Sequence, residues 1–360
     1  MNEYVNIIMI FSIAFVVAFF MTPFVKNLAI KLNAVDVPKD NRRVHKKPIP
    51  RLGGLAILMG FVMSLVYYLI MVGLGNTDVF NSKILGLLLG IIIIEIAGVW
   101  DDIKPIRAWT KLLFQIAAAA VVVGFGVRIE EISNPFVADG FISLGVWSIP
   151  ITMIWIVGIT NAINFIDGLD GLAAGVATIS SLSLLFIAVY LNQWQTIVLA
   201  AGLAGATMGF LPFNFNPAKI FMGETGSAFL GFTLGTISIM GLVKSYTAIA
   251  IIVPLVVLGL PIFDTAFAII RRVLSGKSPM QADRGHLHHR LVDSGLSQKQ
   301  SVIILYIISA FLGLAGIVLI ETELWKFVVL ILIVIIFIFA GSRYMGEMNV
   351  EKGDHENEKN

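Results

Sequence analysis

Cysteine is absent from all 360 residues. A disulfide-stapled secreted scaffold and a zinc–thiolate site are therefore excluded. Charge is scarce as well: Asp, Glu, Lys and Arg together make 13% of the chain, roughly half the share in a soluble domain. So little polar surface cannot cover a globule of this size in water. No repeat of roughly 20 to 50 residues is present, which excludes solenoid and array folds. Low complexity is confined to the tail, GDHENEKN. What the chain does hold is apolar side chains, 58% of the total, with a mean hydropathy of +0.90. They fall in runs long enough to cross a bilayer.

Eleven such runs lie near residues 5–25, 53–73, 83–100, 111–127, 146–164, 172–191, 196–213, 227–243, 247–268, 301–320 and 324–342. They predict an all-α polytopic membrane protein. One integral-membrane unit, 1–345, is expected, with 346–360 as a disordered tail. No intervening stretch is long enough for a separate extramembrane domain. With eleven spans, every Lys and Arg except Lys83, Arg128, Lys244 and Lys326 falls on one side. Positive charge marks the cytoplasmic face, so the N-terminus is expected outside and the C-terminus inside. The first run has no basic residue before it and Lys26 after it, the reverse of a secretory signal, so a retained helix is expected.

The unusual polar residues cluster at cytoplasmic ends under this topology, in 26–52, 101–110, 165–171, 214–226 and 271–300. Carboxylates at membrane depth are expensive and tend to have a task, so these segments are expected to converge on one pocket. VWDDIKPIRAWTK places Asp101 and Asp102 at the end of the third span, with Lys111 following; a metal-facing carboxylate beside a proton acceptor is one reading, an acidic helix end the other. In NAINFIDGLDGLAAG, Asn161, Asn164, Asp167 and Asp170 recur every third residue and share a helix face. Amide and carboxylate oxygens suit a hard cation such as Mg²⁺, though Asn alone also serves helix packing. FNFNPAKIFMGETGSAFLG supplies Asn214, Asn216 and Glu224 at the start of the eighth span. A helix start favours anions; Glu224 either ligates a cation or complements the helix dipole. RGHLHHRL brings His286, His288 and His289 between Arg284 and Arg290. An anion such as a diphosphate fits that set better than zinc, with a solvated basic loop as the plain alternative. DNRRVHKKPIPRLGG is basic enough to meet anionic lipid, and no folded domain stands behind it to bind nucleic acid.

RRVHKKPIPRLGG, DDIKPI, NAINFIDGLDGLAAG, PAKIFMGETGS, PIFDTAFAIIRR and HLHHRL, in this order, closely resemble the polyprenyl-phosphate N-acetylhexosamine-1-phosphate transferases. The resemblance runs from residue 1 to about 345 and is strongest to the undecaprenyl-phosphate N-acetylglucosamine 1-phosphate transferases. It implies Mg²⁺-dependent transfer of GlcNAc-1-phosphate from UDP-GlcNAc to undecaprenyl phosphate at the cytoplasmic face of a bacterial plasma membrane, opening teichoic acid or O-antigen synthesis. Mn²⁺ is an acceptable substitute metal and a homodimer a compatible assembly. By the same resemblance Asn164 and Glu224 match metal ligands, and Asp101, with Asp102 beside it, matches the base toward the lipid phosphate. Lys111 matches a phosphate contact and Asp167 belongs to the catalytic set. Asp170 and Phe221 match positions that hold and stack uracil. His286, His288, His289 and Arg290 match the loop over the sugar diphosphate, with Arg284 and Asn214 as further substrate contacts and Lys46 as a nucleotide contact.

One position departs from the pattern: the family has Asp where this chain has Glu224, one methylene longer. A tolerated variant is expected. Rival readings are the related phospho-N-acetylmuramoyl-pentapeptide transferase, another UDP-hexosamine-1-phosphate transferase, a non-catalytic lipid-binding scaffold, and a proton-coupled transporter using Glu95 and Asp264. Against the transporter, the two halves show no paired, Gly/Pro-broken spans.

Overall fold

In a bilayer the backbone must satisfy its own hydrogen bonds, and helices do so within one segment. The computed structural model, which describes residues 3–38, 47–73, 81–133, 141–242, 251–276 and 285–321, has that architecture. Its helices are α1 (Glu3–Lys31), α2 (Gly54–Tyr68), α3 (Ser82–Ile103), α4 (Ala108–Gly124), α5 (Ser148–Ile166), α6 (Leu172–Tyr190), α7 (Trp194–Asn214), α8 (Gly223–Leu242), α9 (Ile252–Val257), α10 (Gly259–Leu274), α11 (Leu287–Asp293) and α12 (Gln298–Glu321). Two small antiparallel ribbons complete the described residues: β1 (Val35–Asp36) with β2 (Ile49–Pro50), and β3 (Glu131–Ser133) with β4 (Phe141–Ser143).

Seven of the described helices are long and apolar enough to cross a membrane: α1, α2 with its π turn, α3, α5 with the 3-10 turn before it, α6, α7 and α12. The first eight expected spans and the tenth each coincide with one helix. The ninth does not stay whole. It divides at Leu258–Gly259 into α9 and α10, and α10 turns Phe263, Phe267, Ile270 and Leu274 outward on one face. The eleventh span and the tail lie outside the described residues.

The middle of the bundle is α6, α7 and α8. Their stretches LAAGVATISS, AAGLAGATMG and GSAFLGFTLG are rich in small residues, which let helices approach closely where lipid supplies no hydrophobic drive. α7 packs on α1, α2 and α6; α8 packs on α3 and α5. Phe61 of α2 and Phe229 of α8 meet edge to face at 5.7 Å.

The N-terminus of α8 is pinned by contacts that only glycine permits. A Cβ on Gly54 of α2 would stand 2.1 Å from the backbone nitrogen of Gly226, and one on Gly98 of α3 would stand 2.6 Å from the Cα of Thr225. Gly54→Ala therefore has to separate α2 from α8, and overpacking of this kind costs roughly 1–3 kcal/mol. A fall in the thermal unfolding temperature in detergent is the expected outcome, and an unchanged temperature would contradict the contact.

Candidate active site

α8 opens in an unusual way. Gly223 holds φ +71, where a side chain is strained, and the next two residues point their amides at a carboxylate from α3. Asp102 Oδ1 accepts from Glu224 N at 3.0 Å; Oδ2 accepts from Thr225 N at 3.0 Å and Thr225 Oγ1 at 2.5 Å. Asp102 is thus an N-cap donated from another helix, satisfying amides that α8 cannot satisfy itself. It is 2% exposed, and both its oxygens are committed. A role for it in proton acceptance, expected from its place beside Asp101, has no free oxygen to use in this arrangement.

Asp101 faces a different set of groups. Its Oδ1 accepts from Ile106 N at 2.9 Å, and its Oδ2 receives Lys111 Nζ at 2.9 Å. The same ammonium reaches Glu224 Oε2 at 2.9 Å. One lysine near the start of α4 therefore clamps carboxylates from α3 and α8. The pairs are partly buried, where screening by water is weaker than at an open surface.

These groups line a cavity of about 430 Å³ together with Asn164, Asp167, Asp170, Asn214 and Phe221. That volume is in the range of small-molecule sites. Asp170 is oriented by its Oδ2, which accepts from Asn216 Nδ2 and Ala218 N, each at 3.0 Å; Asn216 Nδ2 also donates to Gln298 Oε1 at 2.8 Å. Asn214 donates to Ile220 O at 3.1 Å, while its buried Oδ1 has no partner among the described residues. Phe221 is fixed by its backbone: its N–H donates to Pro50 O and its O accepts from Gly53 N. Burial, and then the charges of Asp102, Glu224 and Asp170, push Asp167 up to about 8.

The histidine loop stands beside this cavity rather than in its wall. His288 is buried against the turn after α5: a Cβ on Gly168 would lie 2.3 Å from His288 Nε2. Neither ring nitrogen of His288 has a hydrogen-bond partner among the described residues. Burial and the charge on His289 hold it well below the usual imidazole range, hence neutral. His288 and His289 rings lie 4.2 Å apart. Arg290 is exposed on α11. Lys46 and Arg284 lie outside the described residues.

Asn161 is the one member of its motif turned elsewhere. It donates to Gln115 Oε1 of α4 at 2.7 Å and to Val157 O at 2.8 Å, which is helix packing. Conversely, Arg51 and Gln298 line the cavity though sequence gave no reason to single them out. Arg51 donates to the carbonyl oxygens of Asp102 at 3.1 Å and Asp101 at 3.2 Å, tying the segment between β2 and α2 to the end of α3. It was one cation among several in a basic stretch, which hid it.

Among the described residues no three His, Cys, Asp or Glu side chains are grouped to cage a metal. Mg²⁺ in phosphate chemistry does not need such a cage; one or two protein oxygens plus water and substrate phosphates complete its shell. Asn164, Asp167 and Glu224 offer oxygens to one cavity. Burial first, and then the neighbouring carboxylates of Asp102, Glu224 and Asp170, raise the proton affinity of Asp167, and a divalent cation would offset the second of these. The donor set fits.

Known proteins resemble this chain over most of its length. The profile described as Glycosyl transferase family 4 matches residues 84–242, a stretch that contains Asp101, Lys111, Asn164, Asp170 and Glu224. A Bacillus subtilis (strain 168) protein bearing the name "Probable undecaprenyl-phosphate N-acetylglucosaminyl 1-phosphate transferase" is 40% identical over 346 residues, 96% of this chain and 94% of its own. The decaprenyl-phosphate N-acetylglucosaminephosphotransferase of Mycolicibacterium smegmatis is 35% identical, covering 82% and 77%. The phospho-N-acetylmuramoyl-pentapeptide-transferase of Desulfotalea psychrophila is 32% identical, covering 84% and 89%.

Proposed function

We propose a reaction for this chain, which belongs to glycosyl transferase family 4 and is a phosphotransferase embedded in the membrane: transfer of GlcNAc-1-phosphate from UDP-GlcNAc to undecaprenyl phosphate, giving undecaprenyl-diphospho-GlcNAc and UMP. The observation that carries it is the Lys111 clamp, 2.9 Å from both Asp101 and Glu224, at the wall of a cavity sized for a small ligand.

An oxygen of the lipid phosphate attacks the β-phosphorus of UDP-GlcNAc, and the bond to the UMP oxygen breaks with its electron pair leaving on UMP. Both reactants are anions, so positioning and charge neutralisation carry most of the work. Asp101 takes the proton still held by the lipid phosphate. Lys111, already placed between two carboxylates, turns to the phosphates. Asp170 holds the uracil imide and Phe221 stacks on the ring, while Asn214, Lys46, Arg284 and Arg290 contact other parts of the donor. His289 closes over the diphosphate, with His286 and His288 packed behind it. Asp102 places Glu224 by holding α8. Asp167, whose raised proton affinity keeps its carboxyl protonated near neutral pH, donates a hydrogen bond beside the reacting centre. Asn164 and Glu224 would hold Mg²⁺, or Mn²⁺ in its stead, and the ion would supply charge neutralisation to the phosphates.

The eleven-span topology, with the cavity at the cytoplasmic face of a bacterial plasma membrane, supplies both substrates from one side. The lipid product feeds a teichoic acid or O-antigen-type polymer. All cavity residues come from helix ends or turns on one end of the bundle, which supports a single-sided site.

UMP release from the purified protein tests the reading. It is expected to require undecaprenyl phosphate, UDP-GlcNAc and Mg²⁺ together, to fall to background in EDTA and to return when Mg²⁺ is added. Mass spectrometry of the lipid product, with several UDP-hexosamines offered, identifies the sugar. UMP release and a labelled protein in the absence of lipid would replace direct attack by a covalent route, and full turnover in EDTA would remove the metal.

A further inference from the structure

Asp264 is a carboxylate buried beside the cavity that no step above employs. It lies on α10, and it reaches out of that helix with both oxygens. Oδ2 stands 2.8 Å from His286 Nδ1, and Oδ1 accepts from Leu287 N at 2.7 Å. The second contact caps α11, whose own N-cap residue, His286, supplies no side-chain cap bond. Two turns further along α10, Arg272 Nη2 stands 3.4 Å from His286 Nε2. Guanidinium can only donate, so Nε2 accepts and the neutral ring carries its proton on Nδ1, toward Asp264. His286 and Arg272 are 6% and 5% exposed. Phe165, two residues before Asp167, completes the seat: its ring lies 5.9 Å from His286 and 6.0 Å from the Arg272 guanidinium carbon. His288 stacks on His286 at 5.7 Å with 13° between planes and meets Gly168.

We propose that Asp264 is a positioning residue of the transfer reaction: it fixes the His286 ring and the start of α11, and so sets His288 against the Gly168 turn. This rests on the histidine loop acting on the sugar diphosphate. Carboxylate chemistry is required, because two N–H donors converge on it from different directions. Asparagine has a single acceptor oxygen and would turn its own N–H₂ toward the second donor, so even the isosteric change releases either the ring or the helix start.

The experiment compares wild type with Asp264→Asn, Asp264→Ala, His286→Ala and the Asp264→Ala/His286→Ala double variant, all as full chains in detergent or nanodiscs. Displacement of reacting groups by an ångström is worth about 10²-fold, and Asp264→Asn is expected to lose about that much in kcat. Inhibition by UMP, which reads the uracil end at Asp170 and Phe221, is expected to stay within about twofold of wild type, a separation that general misfolding would not give. In the His286→Ala background, Asp264→Ala is expected to cost clearly less than it does in wild type, because the ring contact is already gone and only the Leu287 N cap remains to be lost. The inference is overturned by additive losses in the double variant, by UMP inhibition weakening in parallel with kcat, or by Asp264→Asn turning over within about threefold of wild type. Failure of Asp264→Asn to fold overturns it too, since the carboxylate would then be a fold element. Wild type that releases no UMP from any UDP-hexosamine instead removes the transferase reading on which it stands.

Discussion

Asn in place of Asp101 lowers UMP release by about 10³-fold, within the range for removal of a placed general base, and leaves the protein folded. The two parts of this outcome come from different contacts. The amide keeps one oxygen, which still accepts from Ile106 N, 2.9 Å away in the native chain. What it loses is the pairing with Lys111, and Lys111 retains Glu224. Because the Lys111 ammonium keeps a carboxylate partner, no charge is left buried alone, and unfolding is expected to shift by only a few degrees. Single-turnover UMP release and thermal unfolding on the same preparation measure both parts. Activity within tenfold of wild type would take Asp101 out of the proton-accepting role.

Asp102→Ala gives the opposite balance although the residues are adjacent. Three hydrogen bonds vanish at once, from Glu224 N, Thr225 N and Thr225 Oγ1, and their donors are left in a buried helix start. Each buried donor without a partner costs roughly 1–3 kcal/mol, so a loss above about 3 kcal/mol is expected, seen as a steep drop in unfolding temperature and in yield. Turnover disappears as well, because Glu224 is carried by the helix turn that Asp102 holds. Asp102→Asn, which keeps one acceptor, falls between. An Asp102→Ala protein as stable as wild type but inactive would reverse the assignment and make Asp102 a chemical group.

Much of this was legible in the sequence, because bilayer solvation forces apolar runs of fixed length and leaves polar residues conspicuous. The first eight apolar runs each become a helix, six of them long and apolar enough to cross a membrane, and Asp101, Lys111, Asn164, Asp170 and Glu224 converge on one cavity. Where the sequence misled, the missing information was direction. Asn161 shares a helix face with Asn164 by spacing, but one more turn of helix carries it level with Gln115. Asp101 and Asp102 look equivalent in the chain; which points at Lys111 and which at α8 depends on the rotation of α3 against α8. Arg51 belongs to a segment whose many cations mask the one that folds inward. The ninth span reads as one hydrophobic stretch, and only packing on α5 and α12 reveals the break at Leu258–Gly259. Asp264 was conspicuous as a carboxylate in that span, yet its partners arrive from about twenty residues downstream.

The glycine-mediated seams at Gly54 and Gly98 have a bearing on redesign. Where main chains touch with no side chains between them, there is no spacer to trim or enlarge, so the seams that hold the start of α8 offer nothing adjustable. Attempts to retune the proposed donor should begin instead at the rim, in the loop around Pro217 and on the outer face of α11 at His289 and Arg290, where a new side chain alters shape without prising the bundle apart.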